Sequence, residues 1–188
     1  MPAKKAAKKS AKKSAAEHGK PHHEGKDVCR AYEHLGRLSA LETHLSSSVT
    51  AQIDELTNLA QKSLLQGEQK SAADLLRAGE HLAFGSLASQ AKASRLSEEL
   101  SSAINAEYEH LVDKAEEHWE KHADNRPAEI EALYESMVES ANTAFHKSAY
   151  RRALEFARGA EALAHVHGGG VPLLEESASR KKDKRLRA

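Results

Sequence analysis

Between residues 128 and 167 apolar side chains return at steps of three and four: Ile130, Tyr134, Met137, Ala141 and Phe145, then, past His146, Lys147 and Ser148, Ala153, Phe156 and Leu163. This spacing collects them on one helix face with a single interruption, and so predicts two antiparallel helices joined by a tight turn. The same pattern stands 81 positions earlier. Val49/Ile130, Ile53/Tyr134, Leu56/Met137, Ala60/Ala141, Leu64/Phe145, Ala72/Ala153, Leu75/Phe156 and Leu82/Leu163 each set apolar against apolar. Polar positions agree too: Asp74/Glu155, Arg77/Arg158 and Glu80/Glu161 keep an acid, base, acid series at steps of three. That places each Arg within reach of two carboxylates on its own helix. Two similar hairpins are expected, at about 48–88 and 128–167. Both an internal duplication and two separate amphipathic hairpins rich in Ala and Leu would produce them.

The remaining chain continues the helical period. Val28, Tyr32, Leu35, Leu38, Leu41 and Leu45 follow Asp27, a natural N-cap, and Ser46, Ser47 and Ser48 interrupt the run and can cap the next helix. Gln66 and Gly67 end that helix, and Ser71 with Asp74 has capping-box spacing for its successor. A break or bend is expected in the small, polar stretch 85–94. Beyond it Leu96, Leu100, Ile104, Tyr108, Leu111, Ala115, His118 and His122 form the narrow stripe of one long helix, about 95–122. Asp124 and Asn125 can cap the following hairpin, with Pro127 in its first turn, and Gly168, Gly169, Gly170 and Pro172 stop it. The predicted fold class is all-α: about six helices in antiparallel hairpins across 28–167, as a bundle or short array. Aromatics at 4% and only four prolines suit that class.

Charge divides the chain differently. Residues 1–27 hold eight Lys against Glu17, Glu24 and Asp27, and residues 177–188 hold six Lys/Arg against Asp183, so each end nets +5 and 28–176 nets −10. Within 3–14 the repeat AKKA, AKKS, AKKS has no large apolar side chain and is expected to be disordered alone, as is the basic segment within 168–188. On a polyanion the Ala-rich repeat would turn helical, aligning Lys4, Lys8 and Lys12 with Lys5, Lys9 and Lys13 as one basic stripe. With Lys181, Lys182, Lys184, Arg185 and Arg187 these are the candidate polyanion-binding residues. No aromatic interleaves with the lysines, so attraction without sequence preference is expected. Ser10 and Ser14, each after a Lys pair, are places where phosphorylation would weaken it. The segment resembles the lysine- and alanine-rich tails of linker histones and bacterial histone-like proteins, which implies nucleic acid as a partner.

The hairpins resemble tetratricopeptide repeats in Ala141, Ala144, Ser148, Tyr150, Ala153 and Ala160, and in part in Ala60, Gly67, Ala72 and Gly79. That resemblance implies stacked hairpins with a concave groove for a protein partner; the 81-residue offset departs from that family's period of about 34. A lysine tail ahead of helices also resembles the mini-ferritins. Their metal chemistry would fall to His118, His122, Glu107 and His110, but only one Glu-x-x-His is present, and His118 is followed by Trp119 rather than the Glu of zinc proteases. His18, His22, His23, Glu24 and Asp27 lie in a Gly- and Pro-containing linker with no fixed geometry for an ion. Cys29 is the one cysteine, which excludes an intrachain disulfide and has no partner motif for catalysis. The expectation is a non-enzymatic interaction protein without a cofactor. It would be cytoplasmic or nucleoid-associated, with protein and nucleic-acid partners and no membrane span. A metal-binding bundle and a self-associating structural protein are the alternatives.

Overall fold

The structure, a computed structural model, describes residues 24–88, 96–121 and 126–166. Six α-helices and no strand lie among them: α1 (Glu24–Leu41), α2 (Ser47–Leu65), α3 (Gln69–Leu87), α4 (Glu98–Lys121), α5 (Ala128–His146) and α6 (Tyr150–Ala164). A 3-10 turn at Glu42–His44 links the first two, and Ser46 caps α2 by accepting from the Val49 N–H.

The two hairpins correspond position for position. Helices α2 and α5 open at Ser47 and Ala128 and close at Leu65 and His146, and α3 and α6 open at Gln69 and Tyr150, always 81 residues apart. Their turns share one hydrogen-bond pattern. The Gly67 N–H donates to the Leu64 carbonyl (3.1 Å) and Glu68 to Ser63 (2.9 Å); Ser148 donates to Phe145 (2.9 Å) and Ala149 to Ala144 (2.9 Å). This helix end requires one left-handed residue. Gly67 takes φ +83° without a side chain, whereas Ser148 takes φ +58° with one. Ser148→Gly is therefore expected to raise the unfolding free energy by about 1 kcal/mol, and Gly67→Ala to lower it by about as much. Urea midpoints check both, and equal midpoints for all three proteins would contradict the shared turn geometry.

Helix α3 packs on α1, α2 and α6, and α6 packs on α3, α4 and α5. The chain is thus two three-helix units, α1–α2–α3 and α4–α5–α6, joined along their third helices. Those helices run antiparallel, since Arg77 meets Glu161, His81 meets Glu155 and the Ser86 carbonyl meets Arg152. Both third helices are packed through small residues: Ala72, Ala78, Ala83, Ala153, Ala157 and Ala160 are all at most 2% exposed, and Ala157 and Ala160 lie against α4 and α5. At two glycines a methyl group would force a neighbouring side chain to move. A Cβ on Gly85 would lie 2.8 Å from the Phe156 ring, and one on Gly159 2.7 Å from the Met137 Sδ. Leu56, Leu75, Met137 and Leu163 are the largest fully buried side chains.

The second unit carries six of the eight aromatic residues. Trp119 stacks on Tyr134 (3.8 Å between ring centres) and Tyr108 on Phe145 (4.0 Å), which sets α4 antiparallel to α5. The Tyr108 hydroxyl donates to Asn142 Oδ1 at 2.6 Å. The Arg126 guanidinium covers the Trp119 ring at 3.7 Å while donating to the His118 carbonyl, so the indole lies between a phenol and a cation.

Several boundaries differ from the sequence expectation. Helix α1 already runs at Glu24, so Asp27 is not its cap but lies inside it, paired with Arg30 at 3.2 Å. The end of the 1–27 segment accordingly belongs to the helical body. No capping box opens α3, which begins at Gln69; Glu68 makes no side-chain cap and Ser71 is buried. The α2 turn delivers the chain straight into α3, leaving Ser71 inside the packed face. The break in 85–94 is present, because α3 stops at Leu87, where the Ala88 N–H donates to Phe84. Helix α4 starts at Glu98, with the Ser97 hydroxyl accepting from Leu100, and its stripe is buried only from Tyr108 onward. The reason is length: Tyr108 faces Phe145, one residue from the end of α5, so Leu100 finds no α5 partner and is 49% exposed. Pro127 occupies the cap position of α5 rather than its first turn. Both basic tails, the histidines at 18, 22 and 23, Asp124 with Asn125, and Gly168 to Gly170 lie outside the described residues.

Candidate functional site

Most of the acid, base, acid series of α3 and α6 finds partners on other helices: Arg77, Glu155 and Glu161 meet at the seam between the units, and Glu80 turns to α1. Arg77 crosses to Glu161, and the His81 Nδ1–H donates to Glu155 at 2.9 Å. Glu155 also accepts from Arg158 at 3.3 Å, and Arg158 reaches Glu107 of α4 at 3.5 Å. Glu80, 7% exposed, is held by His34 at 2.5 Å and Arg37 at 3.2 Å, both from α1. Of the four pairings expected within single helices, only Arg158 with Glu155 forms. The His81 hydrogen bond holds the Glu155 carboxyl below the usual glutamate range despite burial.

The repeat breaks at Asp74. Its counterpart Glu155 is satisfied by His81, but the repeat position of His81 is Ala162, which offers nothing to Asp74. Asp74 Oδ2 is buried without a hydrogen-bond partner among the described residues, and burial pushes the carboxyl up to about 6. Lys70 and Arg77 oppose that rise, while Glu161 and Asp27 add to it.

At the C-terminal end of α6 two imidazoles meet. The centres of the His118 and His165 rings lie 4.0 Å apart, His118 Nδ1 is buried without a partner among the described residues, and His165 Nε2 is 3.3 Å from Glu161. Burial, and then His118, holds His165 below the ordinary imidazole value. His165 was not singled out by sequence; its only local signal is Glu161 four residues earlier. Among the metal candidates Glu107 is taken by Arg158, His110 is exposed, His118 lies tilted at 46° against His165, and His122 is outside the described residues. Among the described residues no three His, Cys, Asp or Glu side chains converge on a point that could hold an ion.

A polar groove opens on the other side of α6. Two adjoining cavities of about 270 and 130 Å³ share Ser140, Arg152 and Phe156. The larger lies between α5 and α6, and the smaller extends across α2 and α3. Cys29 is exposed on α1, away from both features. No described helix is long and apolar enough to cross a membrane. The geometry defines an all-helical protein of two repeated three-helix units with a charged seam between them. Comparison of the chain with family models, curated proteins and solved structures finds no match.

Proposed function

We propose that this chain is a non-enzymatic helical interaction protein whose basic ends attract nucleic acid or another polyanion weakly and without sequence preference. Charge segregation carries the reading: +5 at each end against −10 in 28–176. The exposed face of α4 deepens the contrast, because Glu109, Asp113, Glu116, Glu117 and Glu120 all lie at the surface. A body so charged repels phosphate, and contact falls to the ends. The acidic face also competes for the same ends at low salt, an effect screened beyond about 8 Å at physiological ionic strength. The hairpins, with glycine and alanine where helices cross, are of the kind tetratricopeptide units use for protein partners. We place the protein in the cytoplasm on the same reading.

Gel-shift titration of duplex DNA across salt concentrations tests it. If the N-terminal lysines engage about five phosphates, log affinity falls with log salt at a slope of about −4 to −5. Removing residues 1–23, which precede α1, is expected to lower the total slope by about half, the basic C-terminal end supplying the rest. Equal slopes for the full and shortened chains would overturn the reading.

A further inference from the structure

Arg152 is out of keeping with its surroundings. In a body rich in carboxylates Arg77 holds one and Arg158 two, and Arg126 lies flat on Trp119. Arg152 is half-buried, yet no described carboxylate lies within ion-pair distance of it. Its guanidinium rests 5.2 Å from the centre of the Phe156 ring and makes one long hydrogen bond, from Nη1 to the Ser86 carbonyl at 3.4 Å. A guanidinium has five N–H donors in a planar fork. Most of Arg152's are therefore unused among the described residues, and both cavities of the polar groove open onto it.

The lining suits an anion of low charge. Ser140 and Thr143 stand beside Lys147 in the larger cavity, and Gln52 and Ser136 in the smaller. Glu139 is the only carboxylate among the lining residues. Hydroxyl and amide groups at these positions can meet a peptide backbone, while Phe156, Val49 and Leu133 supply apolar wall. Together the cavities hold about 400 Å³, enough for a few residues of extended chain. The net −10 of the surrounding body disfavours a polyphosphate far more than a single carboxylate.

We propose that this groove binds an extended acidic peptide segment of a partner protein, with Arg152 gripping one carboxylate through two parallel N–H···O bonds. The site is separate from the basic ends and stands whether or not they bind nucleic acid.

The probe is a fluorescein-labelled hexapeptide, Ala-Leu-Glu-Ala-Leu-Glu, titrated against the full chain at 150 mM salt. Its Gln-for-Glu counterpart serves as control. Amide chemical shifts report the site, and helical circular dichroism confirms that each variant folds. Perturbations are expected at Ser140, Thr143 and Arg152, with affinity falling at least tenfold in Arg152→Gln. Arg152→Lys keeps the charge but loses the planar fork, so it is expected to recover little of that loss. The proposal is overturned by equal affinity of Arg152→Gln and wild type, by equal binding of the Gln peptide, by no detectable binding, or by shifts confined to residues 1–27. It is also overturned if inorganic phosphate displaces the peptide at equal concentration, which would make the groove a simple anion site. The DNA salt slope is expected to be the same in Arg152→Gln, so failure here and failure of the polyanion reading are told apart.

Discussion

Asp74→Asn is expected to raise the unfolding free energy at pH 7 by about 3 kcal/mol and to change little below pH 4. The folded chain binds the Asp74 proton more tightly than the unfolded chain, at about 6 against 3.8. Folding therefore takes up a proton between those values, and stability falls as pH rises through that window, reaching its full penalty above about 6. Each pH unit of difference corresponds to about 1.4 kcal/mol, from which the magnitude follows. Asn keeps the shape and has no charge to desolvate. Other groups act in the opposite direction: His165 is lowered by burial and costs stability as pH falls below its ordinary value, and Glu155 costs stability when its carboxyl is protonated. Both are present in wild type and variant, so they cancel in the comparison. Urea unfolding at pH 4, 5, 6, 7 and 8 provides the measurement. Trp119, the only tryptophan, is the reporter, because its stack on Tyr134 is lost on unfolding. A difference between the two proteins that stays constant across pH would refute the account.

Asp74 also marks how far the amino-acid sequence could be read. The pairing of Ile53 with Tyr134 and of Leu56 with Met137 located both hairpins, and Gly67 and Ser148 marked their turns, because helical period and turn chemistry are local. Ion-pair partners are not local. Arg77 was expected to close on Asp74 and Glu80, its neighbours by three; once α3 lay against α6, Glu161 stood opposite it and Glu80 was left to His34 and Arg37. The vacancy opposite Asp74 could be seen only with that pairing known, since it depends on Ala162 occupying the place His81 has in the other unit. His118 continued an apolar stripe correctly, but the approach of His165 follows from α4 and α6 lying side by side and parallel, which no spacing within α4 encodes. Arg152 was passed over for the same reason: its isolation is a fact about which acids fail to reach it. The polyanion residues of both ends were legible as composition alone, and composition still carries them.

Phe156→Ala is expected to be the most damaging single change, lowering stability by about 3–5 kcal/mol. The ring is 3% exposed, lies against Gly85 of α3, and forms the wall shared by both cavities beneath Arg152. Its removal takes contacts from the seam that joins the two units, and the helices flanking it cannot close the gap without breaking the pairs from Arg77 to Glu161 and from His81 to Glu155. Gly85→Ala approaches the same contact from the other side. The added methyl group would sit 2.8 Å from two ring carbons, and an aromatic ring held at the base of a seam has no slack torsion by which to retreat. Overpacking of about 1–3 kcal/mol, less about 1 kcal/mol of helix propensity gained, leaves a net loss of up to about 2 kcal/mol. Gly159→Ala meets an equally short approach at 2.7 Å, but to Met137 Sδ, part of a flexible unbranched chain that can turn aside, and is expected to be near neutral. A double mutant, Gly85→Ala with Phe156→Leu, separates packing from backbone effects. If the ring is what the methyl group strikes, the pair costs less than the sum of the single changes by at least about 0.5 kcal/mol. Strict additivity would mean that α3 and α6 adjust their separation freely, and a seam that adjusts freely could not hold Arg152 in place at the groove.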